Sequence, residues 1–449
     1  MSMLPPSSRH SRFYRLSSIV EHLVDRRVGI VRYVEEVRRE AGAPDFFHFQ
    51  AKAGNTAAFS ALENFSNSGG AAADRETAVA KAIGEAVERY CSAIFDYEAL
   101  TLSSYEEASF PCVAPSEFAL YSRGQYEAPG FPWAPFHNST KVRWIAARDL
   151  TTGKVCYVPA AKSFIPYIYY EITGDTPIDQ PISTGLACHV SEAEAALNGV
   201  CEVIERDAFL ITWQAMLSPP QIRIETLSEE GRDLVQRFQR TGSAVVLFDI
   251  TLDHGVPTVL SVLRGSVAFA PALVFAASAS PDPDEAVRKS LEELAHTRRY
   301  CSIIKAHVPR LVPAPPDHLN VTSQMEHLNF WVDEKNAPLA DWIFSSPKRI
   351  EFSQLQDLAT GDPARDLEAL VAKIQEVNER VLIADLTTPD VAELGFSVIR
   401  AIIPGFHPLH LGYTLRALGG RRLWEVPQQL GYPGITPNTG DNPQPHPYP

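Results

Sequence analysis

Residues 182–213 read ISTGLACHVSEAEAALNGVCEVIERDAFLITW, and the fold turns on this stretch. Ser183-Thr184-Gly185 makes a turn, a short strand-like piece follows, and from about Ser191 the spacing is that of a long helix. The helix carries Glu194, Glu202, Glu205 and Arg206. A surface helix shows one apolar stripe. Here Ala195, Ala196, Leu197, Val200, Cys201, Val203, Ile204, Phe209, Leu210 and Ile211 run nearly all the way round, which predicts burial on most sides. Carboxylates in such a helix are costly unless paired, hydrogen-bonded or bound to a metal. These glutamates call for a cation.

The device recurs upstream. Residues 67–97 read NSGGAAADRETAVAKAIGEAVERYCSAIFDY, and one interval of 117 residues relates the two E-x-x-E-R motifs (85 to 202, 88 to 205, 89 to 206). Each follows a small-residue turn, Ser68-Gly69-Gly70 or Ser183-Thr184-Gly185. Glu85/Glu88 and Glu202/Glu205 are i, i+3 pairs on one helix face, close enough to share a cation. Glu194 and Glu205 return to nearly the same face but stand roughly 16 Å apart along the axis, so one ion cannot bridge them. Several hard cations spread along an extended anion satisfy this spacing. Oxygen ligands without nearby His or Cys select Mg2+, and Mg2+ with Arg and a Gly/Ser turn suits a nucleoside triphosphate. The competing reading is two solvated acidic faces with Arg89 and Arg206 as local salt-bridge partners. One motif alone fits that better, whereas two copies in apolar helices favour one shared site.

Composition sets the outer limits. The 449 residues give room for one large or two to three ordinary domains, and a net charge of −14 argues against a nucleic-acid binder. No apolar run approaches the ~18 residues of a membrane span. The polar start MSMLPPSSRHSRFYRLSS lacks the apolar region of a secretory signal. Six cysteines are dispersed without C-x-x-C or zinc spacing, several inside apolar helical pattern, as in a reducing compartment. The expectation is a cytoplasmic protein with no nucleic acid or membrane partner.

Along the chain the organisation is α+β. Residues 1–17 are Pro/Ser-rich and basic, expected to be mobile. Residues 18–40 read as a short helix, a break at Gly29, then a strand or second helix, and 48–58 as a strand. Strands are predicted at 142–149, 155–159, 244–250, 258–263, 271–277, 381–386 and 396–403, with helices at 226–240 and 283–301. The stretch 318–345 fits a flap or a packed segment equally well. His407-x-x-His410 is disfavoured as a metal pair, because Pro408 prevents helical presentation. No P-loop, G-x-S-x-G or H-E-x-x-H motif occurs. The chain ends DNPQPHPYP, with prolines at alternate positions that favour polyproline II. This is either a disordered tail or a stiff arm inserted into a site.

SGG…IGEAVERY, STGLA…EAALNGVCEVIERDAF and the PQPHPYP terminus together resemble the YcaO family, and most closely its azoline-forming cyclodehydratases (D proteins) of thiazole/oxazole-modified peptide pathways. The likeness runs from about residue 45 to 449 through PGFPWAPF, RDLTTGKVCYVPA, PGFHPLHLG and GGRRLWEVP. It implies a YcaO-type fold, mixed sheets with two related acidic helices facing a shared ATP/Mg site. The implied layout is an accessory segment over 1–45, an ATP-binding catalytic domain over 46–440 and a Pro-rich tail over 441–449. The implied reaction is attack of a Cys, Ser or Thr side chain of a ribosomal precursor peptide on the preceding amide. The oxyanion is phosphorylated at the expense of ATP, and loss of phosphate leaves a thiazoline or oxazoline.

Carried over residue by residue, the resemblance makes Glu85, Glu88, Glu194 and Glu205 Mg2+ ligands. Ser68, Arg89, Ser183, Glu202, Arg206 and Arg298 line the nucleotide, and the tail, through the Pro449 carboxylate, Pro447 or His446, stands near the chemistry. Implied partners are the precursor peptide, a separate E1-like (ThiF-like) leader-binding protein and a flavin dehydrogenase, in an oligomer or hetero-complex. There are departures. The family's G-K-G is Gly70-Ala71-Ala72, the Ser four residues before the first Glu is Lys81, and the Gln of the third helix is His296. A thioamide- or amidine-forming enzyme and a non-catalytic peptide-docking subunit stay open, the latter supported by the lost lysine.

Overall fold

Ser191 stops the extended chain and starts the helix at the centre of the molecule, its Oγ accepting the Glu194 N–H at 3.3 Å. The computed structural model describes residues 20–170, 174–265, 270–315 and 318–449, so the N-terminal stretch expected to be mobile, 1–17, lies outside the described residues. With helices of eight residues or more numbered, the first half runs β1 (Val31–Glu36), β2 (Phe47–Ala53), β3 (Asn67–Ala72), α1 (Arg75–Cys91), β4 (Thr101–Ser103), β5 (Val142–Asp149), β6 (Val155–Pro159), β7 (Leu186–His189) and α2 (Glu192–Gln214). The second half runs β8 (Gln221–Ile222), α3 (Glu229–Gln239), β9 (Ala244–Asp249), β10 (Thr258–Arg264), β11 (Leu273–Ala279), α4 (Pro283–His307), α5 (Gln324–Val332), β12 (Arg349–Ile350), α6 (Pro363–Glu376), β13 (Leu382–Asp385), β14 (Ser397–Ile402) and α7 (Arg421–Gln429).

Three sheets result, ordered β1-β2-β3, β4-β5-β13-β14-β7 with β6 on β5, and β11-β10-β9-β8-β12. Only β8 with β12 pairs in parallel among these strands. The α+β class read from the pattern is the architecture observed. No helix among the described residues is long and apolar enough to cross a membrane.

Helix α2 is the spine. Its first half, from Ala195 to Ile204, packs in one core with α6, β13 and β14. Its second half, from Ala208 to Trp213, packs in another with β10, β11, α5 and Tyr448. Each large apolar side chain so buried contributes ~1.5–3 kcal/mol, which is why a helix apolar on all sides ends in the interior.

Several expectations are revised. Ser68-Gly69-Gly70 is no turn but part of β3, lying flat on α1: a Cβ at Gly70 would meet Ala78 O at 2.5 Å and Ala82 N at 2.7 Å. The accessory segment, 1–45, supplies β1, which pairs with β2. Residues 318–345 form no flap, since Phe330 and Trp331 of α5 are fully buried. The third helix runs on past Cys301 to His307. The terminal nine residues enter the interior, with Asn442, His446 and Tyr448 buried.

The second small-residue run does turn, at Gly185 (φ 84°), where a Cβ would strike the Ala401 carbonyl of β14. Gly185→Ala therefore combines a left-handed backbone with overpacking. The expected cost is about 3 kcal/mol or more, read as a large drop in the thermal midpoint. A midpoint within two degrees of the parent would contradict this packing.

Candidate active site

The two E-x-x-E-R motifs converge, and their first glutamates are held alike. Glu85 Oε2 accepts the Gly69 N–H at 2.9 Å, and Arg89 Nη2 donates to its Oε1 at 3.3 Å. Glu202 Oε2 accepts the Gly185 N–H at 2.9 Å, and Arg206 Nη2 donates to its Oε1 at 3.1 Å. Each close-packed glycine run thus presents a main-chain donor to the helix behind it.

The second glutamates differ. Glu88 Oε1 accepts the Cys188 N–H of β7 at 2.8 Å, so the first helix is tied to the strand that feeds the second. Glu205 Oε1 accepts from Arg206 Nη1 and from the Tyr448 hydroxyl. Burial, then the charge of Glu85, pushes the Glu88 carboxyl up to about 8, with Glu202 adding to the repulsion. Burial pushes Glu205 up to about 7 against the pull of Arg206 and Tyr448. Glu194 is drawn to the same strand end, its Oε2 accepting from Ser191 Oγ at 2.7 Å and lying 2.8 Å from His189 Nδ1.

Helix α4 adds a third wall that the sequence reading undervalued. Lys81 Nζ lies 2.7 Å from Glu292 Oε2 and donates to Ala71 O at 3.1 Å. An ammonium therefore stands at the main chain of the position where the family lysine is missing. Glu293, although burial opposes it, is held down at about 2 by the hydrogen bond and charge of His296, helped by Lys81 and Arg206. His296 also fits against Gly69, where a Cβ would lie 2.7 Å from its Nε2.

The remaining expected residues fall as follows. Ser68 Oγ donates to Ala82 O at 3.0 Å and tethers β3 to α1. Ser183 is half-buried, its carbonyl accepting the Leu186 N–H at 3.0 Å. Arg298 is buried beside His48, whose titration feels its charge, and its Nε has no partner among the described residues. Among the described residues, no hydrogen bond or ion pair joins Arg298 to Glu85, Glu88, Glu202 or Glu205.

The tail reaches the site through Tyr448, a residue the sequence reading passed over. Its ring packs 4.3 Å from that of Phe209 and 4.6 Å below the Arg206 guanidinium. Only an aromatic with a hydroxyl tip fills an apolar slot and meets Glu205 at once. Indole donors hold the prolines: Trp331 Nε1 donates to Pro445 O at 2.9 Å and Trp213 Nε1 to Gln444 O at 3.2 Å. Pro447 is buried and Pro449 half-buried.

His446, expected near the chemistry, is turned elsewhere. It stacks on His327 at 3.8 Å and meets His410 edge-on at 4.6 Å. The three rings bring their nitrogens within 4.8 Å, spacing that would admit a metal. Hydrogen bonding speaks against it. His446 Nε2 pairs with the His410 carbonyl at 2.8 Å and so carries the proton, and its Nδ1 accepts the Tyr448 N–H at 3.2 Å. No lone pair is left for a metal or a substrate. Burial keeps all three imidazoles neutral, His446 at about 4, and the cluster clasps the tail. His407 parts company with His410 and pairs with Gln214.

With this geometry in place, comparison with known proteins is direct. The family described as YcaO cyclodehydratase, ATP- and Mg2+-binding, matches residues 69–407, and the chain belongs to the YcaO family. An uncharacterized protein of Methanothermobacter thermautotrophicus is 29% identical over 289 residues, 62% of this chain and 70% of its own length. Three solved structures share the fold. A heterocyclase in complex with substrate and cofactor superposes with TM-score 0.78 at 20% identity, covering 97% of this chain and 57% of that one, so this chain spans little over half of that relative. YcaO from Methanopyrus kandleri, bound with AMPPCP and Mg2+, gives 0.62 at 19%, covering 90% and 91%. A chain of the E. coli microcin synthetase McbBCD complex with pro-MccB17 bound gives 0.58 at 15%, covering 92% and 96%.

The residues fit the family's metal and nucleotide. Glu88 and Glu205 are half-buried carboxyls whose titration is raised because desolvation outweighs the hydrogen bonds and arginine charges that favour their ionised forms. Both titrate near 4.5 when unfolded, so between there and about 8 the folded chain binds more protons. Metal-free stability therefore falls as pH rises through this range. The neutral histidine clasp acts in the opposite sense, below their ordinary value of 6.5. Between about pH 7 and pH 9 the metal-free thermal midpoint should fall, Mg2+ should raise it more at the higher pH, and Glu88→Gln should flatten both trends. A Mg2+ response equal at both pH values in parent and variant would contradict the assignment.

Proposed function

We propose that this YcaO chain is an ATP-dependent cyclodehydratase subunit converting Cys, Ser or Thr residues of a ribosomal precursor peptide into thiazolines or oxazolines. The observation carrying the reading is that two E-x-x-E-R helices converge, their first glutamates held alike by a glycine N–H and an arginine, with Glu88 tied to the strand that feeds the second helix. Family membership supports the ATP and Mg2+ requirement. The microcin synthetase neighbour, a complex with pro-MccB17 bound, supports a peptide substrate and a multi-protein setting, in which the partners of this reading are a separate E1-like leader-binding protein and a flavin dehydrogenase.

In this reading Glu85, Glu88, Glu194 and Glu205 hold Mg2+, while Arg89, Arg206, Glu202, Ser68, Ser183 and Arg298 serve the nucleotide. Mg-ATP supplies, when bound, the phosphoryl group that turns an amide-derived oxyanion into a leaving group. The chain's own work is positioning and electrostatic stabilisation. Arg206 is held between Glu202, Glu205 and the Tyr448 ring, so its charge is fixed in place. The buried tail closes one side of the site and limits water. Lys81, whose ammonium reaches the Ala71 carbonyl, weighs against the non-catalytic docking subunit to which the missing lysine had pointed.

Reconstitution with the precursor peptide, the E1-like protein and Mg-ATP should remove one water from the peptide per ring. Glu88→Gln and Glu205→Gln should each lower phosphate release and ring formation roughly a hundredfold or more with the fold retained by circular dichroism. Sulfur incorporation in place of water loss would move the assignment to the thioamide chemistry.

Tyr448→Phe keeps the ring in its slot and removes only the hydroxyl at Glu205. Ring formation should fall about tenfold while the thermal midpoint stays within a few degrees. Parent-like ring formation in this variant would reduce the tail to a packing element.

A further inference from the structure

Arg400 lies on β14 opposite Leu186 of β7 and Ala384 of β13, and its side chain is 4% exposed. Its Nη2 donates to the Ile182 carbonyl, but Nε and Nη1 have no partner among the described residues. No carboxylate pairs with it among the described residues. Glu202, whose charge it feels, is already engaged by Gly185 and Arg206. A guanidinium keeps its proton at any working pH, so a buried one with two idle nitrogens carries a large desolvation cost. Such a residue is built to receive an anion.

The surroundings indicate which anion. Arg400 opens onto a cavity shared with Arg206, Thr184 and Lys162, between walls that include Ile182, Val203 and Phe406. The cavity's one acid, Asp179, is neutralised by Lys162 and hydrogen-bonded by Tyr121 at 2.6 Å. The Nε of Arg206 is likewise buried without a partner. Two guanidiniums thus face one space that abuts the carboxylate cluster through Glu202. A monovalent carboxylate meets such a pair incompletely, whereas a phosphoryl group offers three oxygens and a higher charge.

We propose that Arg400 is a ligand of a phosphoryl subsite in this cavity, holding the terminal phosphoryl group on the nucleotide or after it has left. This deepens the assignment of an ATP site and rests on it. None of the nucleotide residues carried over from the family resemblance is Arg400.

The test uses the full chain with Mg2+, and parent, Arg400→Met and Arg400→Lys proteins. Calorimetry measures Mg-AMPPCP, Mg-ADP, and inorganic phosphate added to the Mg-ADP form, with acetate as the monovalent control. In Arg400→Met, Mg-ADP affinity should hold within about twofold, while AMPPCP or added phosphate weakens roughly 10- to 100-fold. The AMPPCP arm reports a group still on the nucleotide and the phosphate arm one that has left. Arg400→Lys should fall between, and it decides the matter if the methionine variant fails to fold. Equal loss of ADP and AMPPCP, no loss of either, or acetate competing as well as phosphate would overturn the proposal. No peptide enters this measurement. Failure of ring formation in reconstitution therefore leaves it standing, and intact ring formation with unchanged phosphate binding sinks Arg400 alone.

Discussion

Everything in this molecule answers to the cost of keeping carboxylates charged away from water. An ionised carboxylate inside apolar packing costs several kcal/mol unless main-chain donors, guanidiniums or metal ions replace its hydration. Here the replacement is partial by construction. Glu85 and Glu202 each receive a glycine N–H and an arginine, whereas Glu88 and Glu205 keep titration points near 8 and 7. The result is a cluster of carboxylates whose charge is incompletely offset, held in one place by the sheets around it.

Two halves of the chain make the site, and they are alike without being equivalent. The first helix is anchored to the second half by the Cys188 N–H, and the second to the chain end by Tyr448. Helix α4 then sets Glu292, Glu293 and His296 against the first half. A repeated motif thus gains direction: one end is closed by a strand, the other by the tail. Lys81 of the helix packed on β3 reaches the Ala71 carbonyl on its four-carbon stem while pairing with Glu292.

The tail is a core element. Alternate prolines have little conformational freedom to lose, and their carbonyls lack helix or sheet partners. The Trp331 indole and the Tyr413 phenol take up that role at Pro445 and Pro443, and Trp213 does the same at Gln444 between them. The three histidines supply further neutral donors and acceptors at the point of deepest burial. Packing this specific makes residues 442–448 part of one wall of the site.

Local chemistry made much of this legible. Helix α2, its burial, the paired E-x-x-E-R motifs and most strands follow from periodicity and small-residue punctuation, which act over a few residues. What neighbours across space impose was not legible. Ser68-Gly69-Gly70 reads as a turn until β2 pairs with it, and His446 reads as a catalytic group until His410 and Tyr448 occupy both its nitrogens. Arg400 sits in an ordinary strand 194 residues beyond Arg206, and Tyr448, 242 residues beyond it, lies in a tail whose prolines draw notice while nothing local marks the tyrosine itself. Sequence alone determined that buried acids would need cations. Only the tertiary structure decided which side chains meet them, because charge and hydrogen bonding act through distances that chain order does not contain.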